Sequence, residues 1–257
     1  MANPESGQEP DPRRELDAKL VAGAGTRRRR ARVFQAFVVA SSALFIGIAA
    51  LAHAFPYFPV DLTVTRAIQS LQSPALDQVM RGISWIGFTP QVDVFIGLVL
   101  LALYFTGLRW EAVSAAFGVC GILLGLLIKL IVFRPRPSAD LVHVFRELSS
   151  AAFPSGHVLM STVFIGFLAF LAYTILKSSW ARGLLVTAFG TLILLMGMSR
   201  IYLGQHWFSD VVGAYLLGGL WLALTIRFYR WGKPRFFVRQ PVAPADPAPP
   251  SPGSRAS

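Results

Sequence analysis

The chain has 257 residues, of which 54% are hydrophobic and only 14% charged, and its formal net charge is +11. A soluble domain carries about 25% charge, and apolar runs long enough to cross a bilayer recur here, so the composition argues against a water-soluble protein and for an integral membrane one. The positive charge does not point to nucleic acid: it gathers just before the first apolar run and just after the last, and no aromatic-rich basic domain accompanies it.

In chain order, residues 1–32 are polar, of mixed charge, and basic at Arg27 to Arg30 and Arg32; they are expected to be a disordered cytoplasmic tail. The first apolar run, 33–55, ends in "AHAF", which looks like a signal cleavage site. The run is longer than a signal h-region of about 7–15 residues, so an uncleaved first helix is expected. Residues 61–88 hold no run long enough to span. After Pro74, Leu76, Val79, Met80 and Ile83 recur at helical spacing, and Trp85 and Phe88 suit the headgroup level. This segment is expected to be an interfacial helix or helical hairpin on the outer surface; the competing expectation is a helix packed only on protein.

Five more spans are expected at 91–107, 112–133, 157–176, 183–199 and 210–229. In the third span, Gly121 and Gly125 predict close helix packing. The single cysteine, Cys120, cannot form an internal disulfide and is expected to be a small core residue. The C-terminal segment, 231–257, is basic and then rich in Pro and Ala, which predicts a second disordered tail. The fold class is therefore all-α: a polytopic membrane bundle of six transmembrane helices over 33–230, with an outer interfacial segment.

With six spans, both tails share one side with the 108–111 and 177–182 loops. That side carries 17 of the 24 Lys and Arg residues, and the other side carries 7. The positive-inside rule then places both termini in the cytoplasm.

Three polar clusters fall on the opposite, outward side. They are "KLIVFRPRP" (129–137), "PSGH" (154–157) and "SRIYLGQHWFSD" (199–210). Each has an ordinary reading: a snorkelling lysine, a serine-capped helix start, and a histidine–carboxylate pair one turn apart. Three cations, two histidines, a carboxylate and a Ser-Gly turn on one membrane face together suggest phosphoryl transfer. Lys129, Arg136 and Arg200 can hold the non-bridging oxygens of a phosphate. The backbone N–H groups of Ser155 and Gly156, at a helix N-terminus, add anion donors. His206 is the candidate nucleophile, and Asp210 at i+4 can accept from its other ring nitrogen. His157 is the candidate acid, since imidazole changes protonation near neutral pH. Cationic side chains take the place of a metal, so neither metal nor cofactor is expected.

The spacing of these residues resembles the three-part signature of the type 2 phosphatidic acid phosphatases. Lys129 stands seven positions before Arg136-Pro137; Pro154, Ser155, Gly156 and His157 are consecutive; Ser199-Arg200 is followed by His206 and Asp210. That superfamily also holds the vanadium haloperoxidases and bacterial undecaprenyl-pyrophosphate and phosphatidylglycerophosphate phosphatases. The resemblance implies a phosphate clamp of Lys129, Arg136, Ser155, Gly156 and Arg200, with His206 as nucleophile, Asp210 as its partner and His157 as acid. Phe208 departs mildly from it, since many relatives carry Pro there.

It further implies an enzyme hydrolysing a membrane lipid monophosphate or diphosphate through a phospho-histidine. Undecaprenyl diphosphate, a phosphatidate-like lipid and phosphatidylglycerophosphate all remain open. Vanadate-dependent halide oxidation fits less well because those relatives are soluble. A lipid-phosphate scaffold or transporter is a third alternative, although a clamp alone needs no nucleophile. The expected partners are the bilayer and the lipid substrate. Nothing in the chain indicates its oligomeric state. Arg134 is an extra cation with no assigned role, a candidate for a second phosphate or a headgroup, and His53 and His143 are expected to be structural.

Overall fold

An apolar run surrounded by lipid must satisfy its backbone internally, which leaves the helix as the local solution. The computed structural model describes residues 12–236, and among them the regular structure is entirely helical. The elements are α1 (Pro12–Ala54), α2 (Pro59–Gln69), α3 (Pro74–Ile86), α4 (Gln91–Phe105), α5 (Arg109–Val119) and α6 (Gly121–Val132). They are followed by α7 (Gly156–Met160), a π-helical turn (Ser161–Ile165), α8 (Gly166–Ile175), α9 (Ser179–Tyr202) and α10 (Phe208–Phe236).

Among the described residues five stretches are long and apolar enough to cross a membrane: Arg28–Ala54, Arg109–Val132, Gly156–Ile175, Ser179–Tyr202 and Phe208–Arg235. The first holds the expected 33–55 span, and α1 itself continues back to Pro12, across the boundary drawn at residue 32. The tail segments 1–11 and 237–257 lie outside the described residues. The span expected at 91–107 differs. Helix α4 has 15 residues, or about 22 Å at 1.5 Å per residue, which is less than a hydrocarbon core of ~30 Å. It qualifies only together with α3, to which it is joined at a bend of 55°, so the described residues hold five such spans, and six where the bent pair is counted as one.

The 61–88 segment forms two helices, α2 and α3. Both pack on α9, and α2 also meets α10. They bury Asp61, Thr65, Gln69, Met80 and Ser84 against protein, so the segment is part of the bundle and not only a surface element. The glycine expectation holds. A β-carbon on Gly121 would come within 2.5 Å of Trp221 on α10, and one on Gly125 within 2.5 Å of Leu159 on α7. Cys120 is exposed on the outside of the bundle, not in the core, and its thiol lies 3.5 Å from the Ala116 carbonyl of its own helix.

Helix α10 is the centre of the bundle, packing on α1, α5, α7 and the π turn. Val158, Leu159, Val163, Met196, Val211 and Ala214 form the main core. Two contacts orient the helices. His53 Nδ1 lies 3.3 Å from the Val132 carbonyl, which joins the end of α1 to the end of α6. Lys233 Nζ lies 2.5 Å from Glu111 Oε1, which joins the start of α5 to the end of α10. One end of the bundle therefore holds the close of α1, α6 and α9 and the start of α7 and α10. Its opposite end holds the start of α5 and the close of α10.

Candidate active site

The three clusters meet at the first of these ends. Helix α6 stops at Phe133, whose φ of 44° and ψ of 43° lie in the left-handed region that residues with a β-carbon rarely adopt. Pro135 disfavours further helix. The reversal leaves Phe133 outside and turns Arg134 inward, where it is 1% exposed. One turn earlier, Lys129 Nζ donates to the carbonyls of Ala151 (2.6 Å) and Ala152 (3.4 Å), just before the PSGH turn. Arg136 donates to the Ser150 carbonyl (2.7 Å), to Ser150 Oγ (2.9 Å) and to the Gln205 carbonyl (2.6 Å). Its Nη1 is also 3.1 Å from His206 Nε2, which brings the first cluster onto the third.

Ser155 precedes α7 and is buried. Its N–H is not free for an anion, as the sequence suggested, because it donates to the Asp210 carbonyl at 3.3 Å. Its hydroxyl, however, is buried without a partner. Gly156 is the first residue of the helix, where N–H groups have no intrahelical acceptor. His157 sets its ring edge-on to Phe88, with centroids 4.6 Å apart, and its Nε2 is buried without a partner. Gly87 permits this seat, since a β-carbon there would collide with the ring.

Arg200, at the end of α9, is wholly buried. Its Nη1 donates to Ser84 Oγ, while Nε and Nη2 have no hydrogen-bond partner among the described residues. Buried donors ordinarily have partners, so Arg200 and Ser155 Oγ are groups an anion would satisfy. Gly204, with a φ of 63°, reverses the chain after α9 so that the His206 N–H reaches the Arg200 carbonyl at 3.2 Å.

His206 is 1% exposed. Burial, and then Arg136, Arg200 and Lys129, hold its pKa well below the ordinary imidazole range. An acceptor role for Nε2 toward Arg136 puts the ring proton on Nδ1, the nitrogen 3.6 Å from Asp210 Oδ2. That separation is longer than the hydrogen bond expected from the sequence. Asp210 Oδ2 accepts instead from the Trp207 N–H at 2.9 Å, which holds the carboxylate one step back from the ring. Catalytic hydrogen bonds are often this long before substrate binds.

The sequence left Arg134 unassigned and missed Asp61. Arg134 Nη1 donates to Asp210 Oδ1 (2.6 Å) and Ser209 Oγ (2.7 Å), Nη2 to Asp61 Oδ2 (2.8 Å), and Nε to the Pro56 carbonyl (3.1 Å). Asp61 also accepts from the N–H groups of Phe58 and Ser209, at 2.9 and 2.8 Å. Arg134 is thus an internal clamp between two buried carboxylates, and it cannot reach a headgroup. The signal for Asp61 was Pro59 at the helix start with an acid two positions on, which alone indicates only a helix N-terminus. Ser84, which accepts from Arg200, carried no signal, and Phe88, which faces His157, was legible only as an aromatic residue suited to the headgroup level.

Ser155 offers a direct test. Ser155→Ala is expected to lower kcat by about 10²-fold, the usual cost of one anion-stabilising donor. Steady-state kinetics on a soluble short-chain lipid phosphate measures it.

Comparison with known proteins decides the family. The model of the PAP2 superfamily matches residues 111–234. Phosphatidylglycerophosphatase B of Bacillus subtilis (strain 168) is 30% identical over 188 residues, which cover 72% of this chain and 90% of that protein. The chain belongs to the PAP2 superfamily. As a PAP2 protein it is a membrane hydrolase acting on phosphate esters. Undecaprenyl-diphosphatase BcrC of the same organism is also 30% identical, over 66% of this chain and 84% of its own length. Among solved structures, a transmembrane PAP2 type phosphatidylglycerolphosphate phosphatase from Bacillus subtilis superposes with a TM-score of 0.66 at 26% identity, covering 77% of this chain and 98% of the other. LpxE of Aquifex aeolicus shares the fold, with a TM-score of 0.54 at 21% identity over 66% of this chain and 96% of its own. The PAP2 match runs through all three clusters but begins after Asp61, Ser84 and Phe88.

Proposed function

We propose that this PAP2 protein removes the terminal phosphate from a membrane lipid phosphate or diphosphate, by way of a phosphorylated His206. One observation carries the reading. Among the described residues Arg200 and Ser155 keep buried donors without partners, Arg136 and the Arg200 carbonyl both meet His206, and an apolar cavity of about 650 Å³ reaches Gly156 and His157, the residues that follow Ser155. Gly156 and His157 line that cavity together with Val92, Ile122, Phe164 and Met196, so a phosphate at the clamp has room for a lipid tail next to it.

In the proposed reaction the phosphate takes up Arg200, Ser155 Oγ and the Gly156 N–H. It draws Nη1 of Arg136 away from His206, which frees Nε2. His206 Nε2 attacks phosphorus while the bond from phosphorus to the leaving oxygen breaks. His157 gives that oxygen its proton. Water then attacks the phospho-histidine, His157 accepts the proton, and inorganic phosphate leaves with His206 restored. Asp210 steadies the imidazolium that forms, and Arg134 and Asp61 hold Asp210. The basic flanks support cytoplasmic termini and an outward site at headgroup level.

The test is phosphate release by the purified protein from phosphatidylglycerophosphate, undecaprenyl diphosphate and phosphatidate. Release from at least one is expected; release from none would overturn the reading. The relatives' names favour the first two.

A pH profile follows from His206. Attack needs the neutral ring, and the lowered pKa means that protonation sets in below the ordinary value of 6.5. The acid limb of kcat/KM, which reports the free enzyme, is therefore expected below pH 6.5. Arg136→Ala removes a cation beside the ring and is expected to move that limb upward.

A further inference from the structure

We propose that Arg146 and Arg81 form a second anion subsite, which holds the non-scissile phosphate of a diphosphate lipid. The inference rests on the phosphatase reading above. The residues come from outside the three clusters, in α3 and the loop between α6 and α7.

A cavity of about 380 Å³ opens behind the phosphate clamp, lined by Arg81, Ser84, Phe88, Arg146 and Gln205 among others. Ser84 is the hydroxyl that receives Nη1 of Arg200, so the wall of this cavity is the back of the clamp. Phe88 is the common reference. The guanidinium of Arg200 lies 5.2 Å from its ring centroid, that of Arg146 lies 5.8 Å away, and the His157 ring lies 4.6 Å away. The acid, a clamp cation and an additional cation therefore surround one aromatic side chain. Arg146 also lines a smaller cavity of about 240 Å³, which it shares with Arg136 and Gln205. It stands where the openings beside both clamp arginines meet.

The two arginines are differently tied. Among the described residues Arg146 has no carboxylate at ion-pair distance, and its guanidinium lies over the Phe88 ring. Arg81 stacks over Phe145 at 4.1 Å and pairs loosely with Asp77 at 3.7 Å. An exposed arginine held only by an aromatic face keeps its donors for a phosphate. Phe88 and Thr89 line both this cationic cavity and the apolar tail cavity. A diphosphate lipid can therefore place its terminal phosphate at His206, its inner phosphate beside Arg146, and its tail past Phe88.

The chemistry explains why a second subsite would matter. With a monophosphate, the bond that breaks joins phosphorus to an alcohol oxygen, and the leaving group is an alcohol. With a diphosphate, His206 attacks the terminal phosphorus, the bond to the bridging oxygen breaks, and that oxygen departs on a lipid monophosphate. His157 protonates the oxygen in either case. Only the diphosphate leaves behind a second anionic group, and Arg146 and Arg81 would offset its charge.

The experiment compares farnesyl diphosphate with farnesyl monophosphate on the full-length protein in detergent, so that the tail is constant. Arg146→Ala is expected to lower the ratio of kcat/KM for diphosphate over monophosphate about tenfold. Arg81→Ala is expected to lower it about threefold, because Asp77 already shares that charge. Arg146→Lys should keep most of the ratio, as a point charge without the fork. Raising the salt concentration should narrow the wild-type ratio, since the subsite is exposed. Equal falls on both substrates, or no fall on either, would overturn the subsite. So would weaker inhibition by inorganic phosphate in Arg146→Ala with an unchanged ratio, because the cavity would then take free phosphate. Wild-type protein that cleaves neither substrate nor any lipid in the panel above would instead overturn the phosphatase reading itself.

Discussion

His206→Ala is expected to reduce phosphate release by at least about 10⁴-fold, the scale at which loss of a nucleophile silences enzymes of this kind. The ring is 1% exposed and is flanked by Arg136 and Asp210, and Arg200 and Ser155 keep donors that have no partner among the described residues. No other histidine can take its place. His157 lies across Phe88, while His53 and His143 are held by Val132 and Gln72. The variant should still bind lipid phosphate, because Lys129, Arg136, Arg200 and Ser155 remain. Binding of a radiolabelled substrate alongside the rate separates an enzyme from a scaffold: a variant that binds but does not turn over supports the histidine mechanism, and one with unchanged turnover ends it. Rapid quenching of the wild type should trap acid-labile phosphate on the protein, absent from His206→Ala. Thermal unfolding in detergent guards against a folding defect, with His206→Gln as the more conservative replacement.

Arg134→Ala is expected to be the most damaging change to stability. It strands the carboxylates of Asp61 and Asp210, both fully buried, without their shared cation. Breaking a buried ion pair by removing one partner costs about 3–5 kcal/mol, a large part of the ~5–15 kcal/mol that holds a typical domain folded. Activity should fall as well, since Asp210 faces His206 and would lose its anchor. Arg134→Lys restores the charge but cannot reach Pro56, Ser209, Asp61 and Asp210 together, so partial recovery is expected. Asp61→Asn in the Arg134→Ala background removes one stranded charge and should recover part of the loss. A double-mutant cycle on melting temperature measures the coupling. Additive effects of the two changes would mean that the clamp does not act as a unit.

The first prediction rests on a residue that the sequence singles out, and the second on Arg134 and Asp61, whose pairing it does not reveal. The helical class, most spans and the candidate residues of the three clusters were legible because they follow from local rules. An apolar run in lipid must be a helix, a proline ends one, and His206 and Asp210 share a face because they are one turn apart. The bend between α3 and α4 was not legible. A run of 15 residues is too short to span alone, and whether it pairs with a bent neighbour depends on what the neighbour packs against. The exposed position of Cys120 depends on packing in the same way.

By itself, then, the sequence determined which chemistry-bearing residues are present and at what spacing. The tertiary structure alone decided their partners. Asp61 meets Arg134 across 73 positions and Ser209 across 148, and Arg200 meets Ser84 across 116. No period of 3.6 residues relates such positions. It also moved the free donor of Ser155 from its N–H to its hydroxyl and set Asp210 3.6 Å from the histidine. Hydrogen bonds are fixed to tenths of an ångström by which helices pack together, and the sequence carries that information only through the whole fold.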